Sequence, residues 1–250
     1  MIIAEIWQYP VKGLGGTTLA ESHLQAGRHL PGDRLFAITN GHPRNAEMTP
    51  GQWRKKALFL QLMSHERLAA LECAFSGSRL VICQQGEERL NVDLDTAAGA
   101  EATNAFFTAF CGDTIRGTAE LTRIGDGAFT DTKAPWISLG GTASVAHVAT
   151  SFGHRPDPRR YRLNIMLETS TPFEEAELIG HRLSLGDAIL QIVEPVGRCA
   201  AIDVDPQDGV RGRHLLPEME QAFGHTDLGI FAEIVQGGAI RPGDRLRRLD

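Results

Sequence analysis

The stretch Glu194–Val210, EPVGRCAAIDVDPQDGV, sets a Gly-Arg-Cys at the end of an apolar run and follows it with an acidic turn. A cysteine kept only for packing needs no fixed cation beside it. A guanidinium next to a thiol favours the thiolate, which is the form that attacks electrophiles and ligates metals. Cys199 therefore differs from Cys73 in LAALECAF, Cys83 in RLVICQQ and Cys111 in FFTAFCG, which lie in or at the end of apolar segments. Those three read as small core hydrophobes. No CxxC pair or zinc-like spacing links the four, and in a reducing compartment they remain free thiols.

Outward from Cys199, most of the chain reads as short strands punctuated by Gly, Pro and Asp. The segments IIAEIWQY, RLFAIT, RLAALECAF, YRLNIMLE, HRLSL, AILQIVE and GIFAEIV carry the signal. Helical spacing is confined to TAAGAEATNAFFTAF with Asp95 and Thr96 as caps, GTASVAHVATSF ending before Gly153, and LLPEMEQAF. Regular βαβ alternation is missing, so a doubly wound parallel sheet is not expected. A Gly-Asp turn recurs at Gly32-Asp33, Gly186-Asp187 and Gly243-Asp244, each ahead of a strand. Gly supplies unusual backbone angles there and Asp hydrogen-bonds its own backbone. The expected fold is mainly β with a few helices: a β-barrel domain over residues 113–250 packed on a β-rich N-terminal domain over 1–112, with the boundary in the loop-rich stretch 112–133.

The 250 residues are 42% hydrophobic and 22% charged, with a formal net charge of −6. An acidic balance argues against a nucleic-acid or anionic-membrane partner. No apolar run reaches the roughly 18 residues of a membrane span, and Pro10 and Lys12 come too early for a secretory signal. A cytoplasmic location is expected. HExxH, GxxxxGK[ST] and GxSxG are all missing. DVDPQDG from Asp203 superficially resembles a calcium loop, but Gly209 falls one place late and His214 stands where a bidentate Glu belongs. It reads as a solvated turn. His147 and His154 flank the second helix and receive no role.

Basic residues form a second signal. If RRYRLNIMLE is a strand, Tyr161, Leu163, Ile165 and Leu167 share one face, while Arg162, Asn164 and Met166 share the other. Arg offers a rigid donor fork and Asn both a donor and an acceptor. Lys12 lies in the Pro/Gly-bounded loop YPVKGLGG, and Arg34 comes after a Gly-Asp turn. Taken singly, each also reads as an ordinary solvated charge.

In order along the chain, PVKGL, GDRLFAI, RRYRLNI, GRCAAIDVDPQDG and PGDRL resemble the MOSC domain preceded by its β-rich N-terminal partner, over about Ile2 to Leu249. The group includes molybdenum-cofactor sulfurase C-terminal domains and the amidoxime-reducing, N-hydroxylated-compound reductases. The resemblance implies the molybdenum cofactor (molybdopterin), with Cys199 as thiolate ligand of the metal and Arg198 beside it. It implies Arg162 and Asn164 at the pterin, and Lys12, Gly13 and Arg34 at its pterin and phosphate end. Asp131 resembles an acidic residue near the metal's solvent face. Soft sulfur suits molybdenum. At family level the resemblance also carries pyridoxal phosphate binding.

The implied activity is reduction of N-hydroxylated small molecules. With no ferredoxin-like cysteine cluster in the sequence, electrons are expected from a separate donor, a reductase or an iron–sulfur protein. The alternative is a sulfur- or cofactor-carrier module in which Cys199 bears a persulfide or anchors the cofactor. The sequence departs from the group in three places: Gly13 stands where several members have a hydroxyl residue, Leu163 where a Pro is common, and EMTPGQWRKKALFLQLM where many carry T-x-R-x-x-P. Lys55 and Lys56 are candidates for the missing Arg, with a solvated face as the plainer reading.

Overall fold

The computed structural model describes every residue except Met48. In chain order its elements are β1 (Ile2–Gln8), β2 (Thr17–Leu19), β3 (Ser22–Leu24), β4 (Phe36–Ile38), β5 (Glu72–Ser76), β6 (Arg79–Gln84), β7 (Glu87–Asp93), α1 (Ala97–Cys111), β8 (Leu121–Arg123), β9 (Trp136–Gly141), α2 (Thr142–Phe152), β10 (Ile165–Glu168), β11 (Arg182–Leu185), β12 (Ala188–Gly197), α3 (Leu215–Phe223), β13 (Asp227–Gln236), β14 (Gly238–Ile240) and β15 (Leu246–Arg248).

The largest sheet runs β15-β11-β12-β13-β9-β10-β1-β2. All its pairs are antiparallel except β9 and β10, which α2 joins as a single βαβ unit. The sheet curls until β1 meets the residues just before β15. Ile2 bridges Arg245, the Ile3 N–H donates to Asp244 O at 2.9 Å, and the Gly243 N–H donates to Ile3 O at 2.8 Å. The interior of this barrel-like sheet is built by period-two alternation. Ile137 and Leu139, Leu183 and Leu185, Leu190 and Ile192, and Ile230 and Ala232 form one buried cluster with Ile3, Ile6, Ile165 and Leu167. Each such aliphatic contributes about 1.5–3 kcal/mol by burial.

A second core lies under the sheet β5-β6-β7, where Leu80, Ile82 and Leu90 meet Phe107 and Cys111 of α1. Several pairings cross the chain between the halves on either side of Gly112: β1 with β10, β3 with β14, and β4 with β8. The sequence boundary at 112/113 is thus not a boundary in hydrogen bonding. The barrel-like sheet borrows its β1 and β2 from the N-terminal segment.

All three expected helices form. Thr96 Oγ1 accepts from the Gly99 N–H at 3.0 Å to cap α1. Left-handed Gly153 and Gly224 end α2 and α3. Two expected strands are shorter than the pattern implied. In RLAALECAF, Glu66–Ala70 winds into a 3-10 turn and the strand begins only at Glu72. In RRYRLNIMLE, Pro158–Arg160 is a 3-10 turn that Asp157 caps through the Arg159 N–H at 2.9 Å. Arg162 then adopts the left-handed conformation at φ 54°, and extended structure starts at Ile165. Arg162 and Asn164 therefore sit in a turn and do not share a strand face.

Candidate functional site

The Arg-Cys stretch reaches its position through irregularity in β12. The register with β13 shifts between Ile192 and Glu194 and again between Pro195 and Gly197. Such bulges bend a strand and re-aim the residues beyond the bend, and Pro195, which has no N–H to donate, lies between the two shifts. The Arg198 N–H donates to Thr226 O at 3.1 Å, and Cys199 begins the 3-10 turn Ala200–Asp203. Arg211 ties this turn to the N-terminal half, donating to Ala200 O, Leu62 O and Met63 O, each at 2.9 Å.

Half-buried Cys199 faces a cavity of about 350 Å³ whose wall also includes Lys12, Gly13, Arg34, Asp131, Arg162, Asn164 and Arg198. Apart from Lys55, the sequence candidates are thus gathered into one place, from the loop after β1, the turn before β4, the stretch that carries Lys56, the loop before β9, the turn before β10 and the end of β12.

Two guanidiniums dominate the cysteine side. Arg198 donates to Leu228 O at 3.3 Å and to Tyr161 O, and burial pulls its pKa down. Arg162 donates from Nη1 to Leu14 O. Burial, and then the nearby Arg34 charge, pull its pKa down to about 10. Among the described residues neither has a carboxylate within ion-pair distance, and Arg162 Nη2 and Arg198 Nε are buried without a hydrogen-bond partner. A buried charge left without a counter-charge is costly.

The opposite side is compensated. Arg34, itself at φ 49°, pairs with Asp33 and donates to Arg162 O at 3.0 Å. Burial works against its charge, but Asp33 outweighs it and raises the pKa. Asp33 also accepts the Tyr9 N–H at 2.8 Å, so this Asp is turned inward, whereas Asp244 in the matching turn caps its own loop at the Arg241 N–H, 2.7 Å. Lys12, 7% exposed, donates to Phe129 O at 2.9 Å and to Asp131 at 2.6 Å, and burial pulls its pKa down. Asp131 reaches Lys56 Nζ at 2.9 Å with its second oxygen. Although burial pushes the Asp131 carboxyl up, Lys12 and Lys56 hold it well below the usual carboxylate range. Lys56 is therefore part of the cavity wall, correcting its reading as a solvated charge.

Asn164 lines the cavity and is also bonded within the chain. Its Oδ1 accepts from the Ser138 N–H at 3.2 Å and from Ser138 Oγ at 3.0 Å, and its backbone N–H donates to Ser138 O at 2.9 Å. At 4% exposure it latches the turn before β10 onto β9, and its Nδ2 donates to Trp7 O at 3.4 Å. Gly13 is dictated by geometry. It has φ 83°, and a Cβ there would lie 2.6 Å from Leu60 O, so a hydroxyl residue does not fit this loop. Sequence reasoning missed Tyr9, whose ring lies 4.4 Å from Arg162 Cζ and 5.0 Å from Arg34 Cζ. It missed Arg211 as well, and the tilted Trp136–Phe231 pair, ring centroids 5.5 Å apart, in the cavity wall. Only the YPVKG context hinted at Tyr9. Cys111 is buried and burial pushes its thiol up to about 11, while Cys73, half-buried on the β5–β6 hairpin, is pushed up to about 12.

Comparison with known proteins bears on residues 127–247, which match the family model for the MOSC domain. No curated protein matches the chain in sequence. Among solved structures, YiiM from Geobacillus stearothermophilus is similar at 20% identity and a TM-score of 0.35, over 46% of this chain and 54% of that one. YiiM from Escherichia coli is similar at 14% identity and a TM-score of 0.34, over 46% and 54%. The YUAD protein from Bacillus subtilis is similar at 12% identity and a TM-score of 0.46, over 98% of this chain and 93% of that one. The chain spans about half the length of the YiiM proteins. Asp131, Arg162, Asn164, Arg198 and Cys199 all fall inside the matched segment, while Lys12, Gly13 and Arg34 are supplied from outside it. Residues 127–247, just under half of the chain, thus match the MOSC domain.

Proposed function

We propose that this protein is a molybdenum-cofactor-binding oxidoreductase that reduces N-hydroxylated compounds with electrons from a separate donor protein. MOSC domains are associated with the molybdenum cofactor as a family. The observation that carries the reading is the pair of buried, carboxylate-free guanidiniums, Arg162 and Arg198, each with an unpartnered nitrogen, on the wall that holds Cys199. Such a wall fits a ligand that brings both negative oxygens and a soft metal. An anion relieves the buried charges, and a thiolate sulfur is a suitable ligand for molybdenum.

In this proposal the cofactor supplies a metal that takes up and delivers two electrons. Cys199 Sγ would be the protein's ligand to that metal. Arg162 Nη2 and Arg198 Nε would bind the cofactor's anionic oxygens, with Lys12 and Arg34 behind them. Asn164 acts at one remove, holding Arg162's turn against β9. Reduction of N–OH to N–H consumes two electrons and two protons and releases water. Asp131, held ionised by Lys12 and Lys56, is an acceptor at neutral pH and not the acid. It would orient solvent at the cavity mouth as an acceptor, and both protons would come from bulk solvent through that path.

The test exchanges each cysteine for serine in a host that makes the cofactor. Cys199→Ser replaces a soft thiolate by a hard hydroxyl at nearly constant volume, and reduction of an N-hydroxylated substrate by an artificial reductant is expected to vanish. Cys73→Ser, Cys83→Ser and Cys111→Ser keep it. Full activity in Cys199→Ser overturns the proposal, as does turnover by the purified protein with NADH alone. Sulfane sulfur on Cys199 without molybdenum identifies a carrier instead.

A further inference from the structure

The mouth of the Cys199 cavity carries a charge opposite to that of the chain as a whole. The formal net charge of the protein is −6, yet Arg54, Lys55, Lys56 and Lys133 gather on the side that holds Asp131. Trp53 joins the two segments that bring them. Its Nε1 donates to Thr130 O at 2.9 Å, and Lys133 Nζ lies 5.3 Å from its ring centroid. Lys56, Thr130, Asp131 and Thr132 line the cavity itself, so the exposed Lys55 and Lys133 flank its opening. Asp131 is the acid among them, and it is already bound to Lys12 and Lys56. Among the described residues Arg54, Lys55 and Lys133 reach no carboxylate within ion-pair distance. Unpaired surface cations do little for the fold, and their field points outward.

Another part of the mouth is apolar. Met63 lines the cavity and is 38% exposed, and Arg211 donates to Met63 O at 2.9 Å, which sets the neighbouring Val210, 59% exposed, beside it. The turn carrying Val210 is fixed by the close approach of Gly209 to the Glu66 and Ala70 backbone. The acids here are engaged locally: Glu66 faces Arg211 at 3.5 Å, and Asp208 accepts the Val210 N–H at 2.8 Å. Among the described residues the other exposed large hydrophobics are Val235 and Leu249, so two of four stand at one opening. Unpaired cations together with exposed apolar side chains are the makings of a contact with an acidic protein.

We propose that this rim is the docking face for the electron donor, and that the donor is an acidic one-electron carrier protein. The inference rests on reading the protein as a reductase fed from outside, and it adds which kind of partner and where it sits. Docking here sets the carrier over the opening that leads to Cys199. Electron-transfer encounters are small and transient, and complementary charge acts mainly on their on-rate. Two carriers docking in turn are each oxidised by one electron for every N–OH converted to N–H and water, with both protons drawn from solvent.

The probe is an acidic plant-type ferredoxin carrying a two-iron, two-sulfur cluster, titrated calorimetrically into the full chain produced with its cofactor. Binding is expected at about 0.02 M salt and should weaken about 10-fold or more at about 0.3 M, where screening is short-ranged. The double variant Lys55→Glu/Lys133→Glu changes two exposed side chains and should weaken ferredoxin about 10-fold or more. Ferredoxin-driven reduction of an N-hydroxylated substrate should slow by a similar factor, with reduction by methyl viologen unchanged. Arg245→Glu/Arg247→Glu shifts the net charge equally at β15, outside the cavity wall, and should stay within about 2-fold of the parent. Equal ferredoxin affinity in the parent and Lys55→Glu/Lys133→Glu overturns the proposal. So does an equal loss in Arg245→Glu/Arg247→Glu, or no ferredoxin binding at all. A parent that reduces nothing with methyl viologen overturns the reductase reading itself, whereas failure of the docking face alone leaves that reduction intact.

Discussion

The two sides of the Cys199 cavity are built from the same residue types and solve opposite electrostatic problems. Lys12, Lys56 and Arg34 each reach a carboxylate, Asp131 or Asp33. Among the described residues, Arg162 and Arg198 donate only to backbone carbonyls and keep a buried nitrogen free. Compensated cations hold the walls together. Uncompensated ones are poised for something the chain does not itself provide. Substitutions on the two sides should therefore behave differently, and that contrast can be measured.

The largest effect is expected on the compensated side. Arg34→Met leaves Asp33, 2% exposed, as a buried carboxylate without its cation, and breaking such a pair costs about 3–5 kcal/mol. Denaturant unfolding of the cofactor-free protein reads it, and a loss under about 1 kcal/mol would erase the contrast. Asn164→Leu comes next. It strands the Ser138 N–H and hydroxyl against β9, for about 1–3 kcal/mol, and the displaced turn brings a partial loss of cofactor. That outcome differs from an exposed ligand-binding residue, whose loss leaves stability alone.

On the uncompensated side the order reverses. Arg162→Met and Arg198→Met each remove an unpaired buried charge of similar volume. The cofactor-free protein should then stay within about 1 kcal/mol of the parent, since exchanging a buried charge for a well-packed apolar side chain is often neutral. Cofactor retention in the same variants should fall by more than about 10-fold, read as molybdenum and pterin content per chain. Equal content in parent and variant removes both arginines from the site. The smallest effect belongs to Asp131. Its folded-state pKa lies below the ordinary carboxylate value, so the unfolded chain takes up the proton first. The stabilisation from its two ion pairs is whole above about pH 4 and drains away as pH falls below that. Because Asp131 is 53% exposed, solvent screening limits it to about 1 kcal/mol or less. Thermal unfolding of Asp131→Asn between about pH 2 and pH 4 should show a shallower acid limb than the parent.

Local sequence determined a good deal of this protein. Period-two alternation announced β11, β12 and β13 because one face of each must enter the barrel interior. Capping and glycine chemistry announced the three helices, since those signals act within a turn of the residue that carries them. The Arg-Cys pair at the end of β12 and the basic residues at 12, 34 and 162 were visible as unusual chemistry before any of them was near another.

Only the tertiary structure decided what those residues do to each other. That β1 joins the sheet of the C-terminal half, and that Arg162 is left-handed and not extended, depends on pairings more than a hundred residues apart. Which cations meet a carboxylate and which stay unpaired is likewise a property of distance in space. Asp33 and Asp131 look alike as letters, yet one caps Tyr9 and pairs Arg34 while the other bridges Lys12 and Lys56. Alternation, caps and turns are short-range and leave a mark in consecutive residues. Desolvation and charge pairing are set by whatever the fold brings alongside, and consecutive residues carry no record of that.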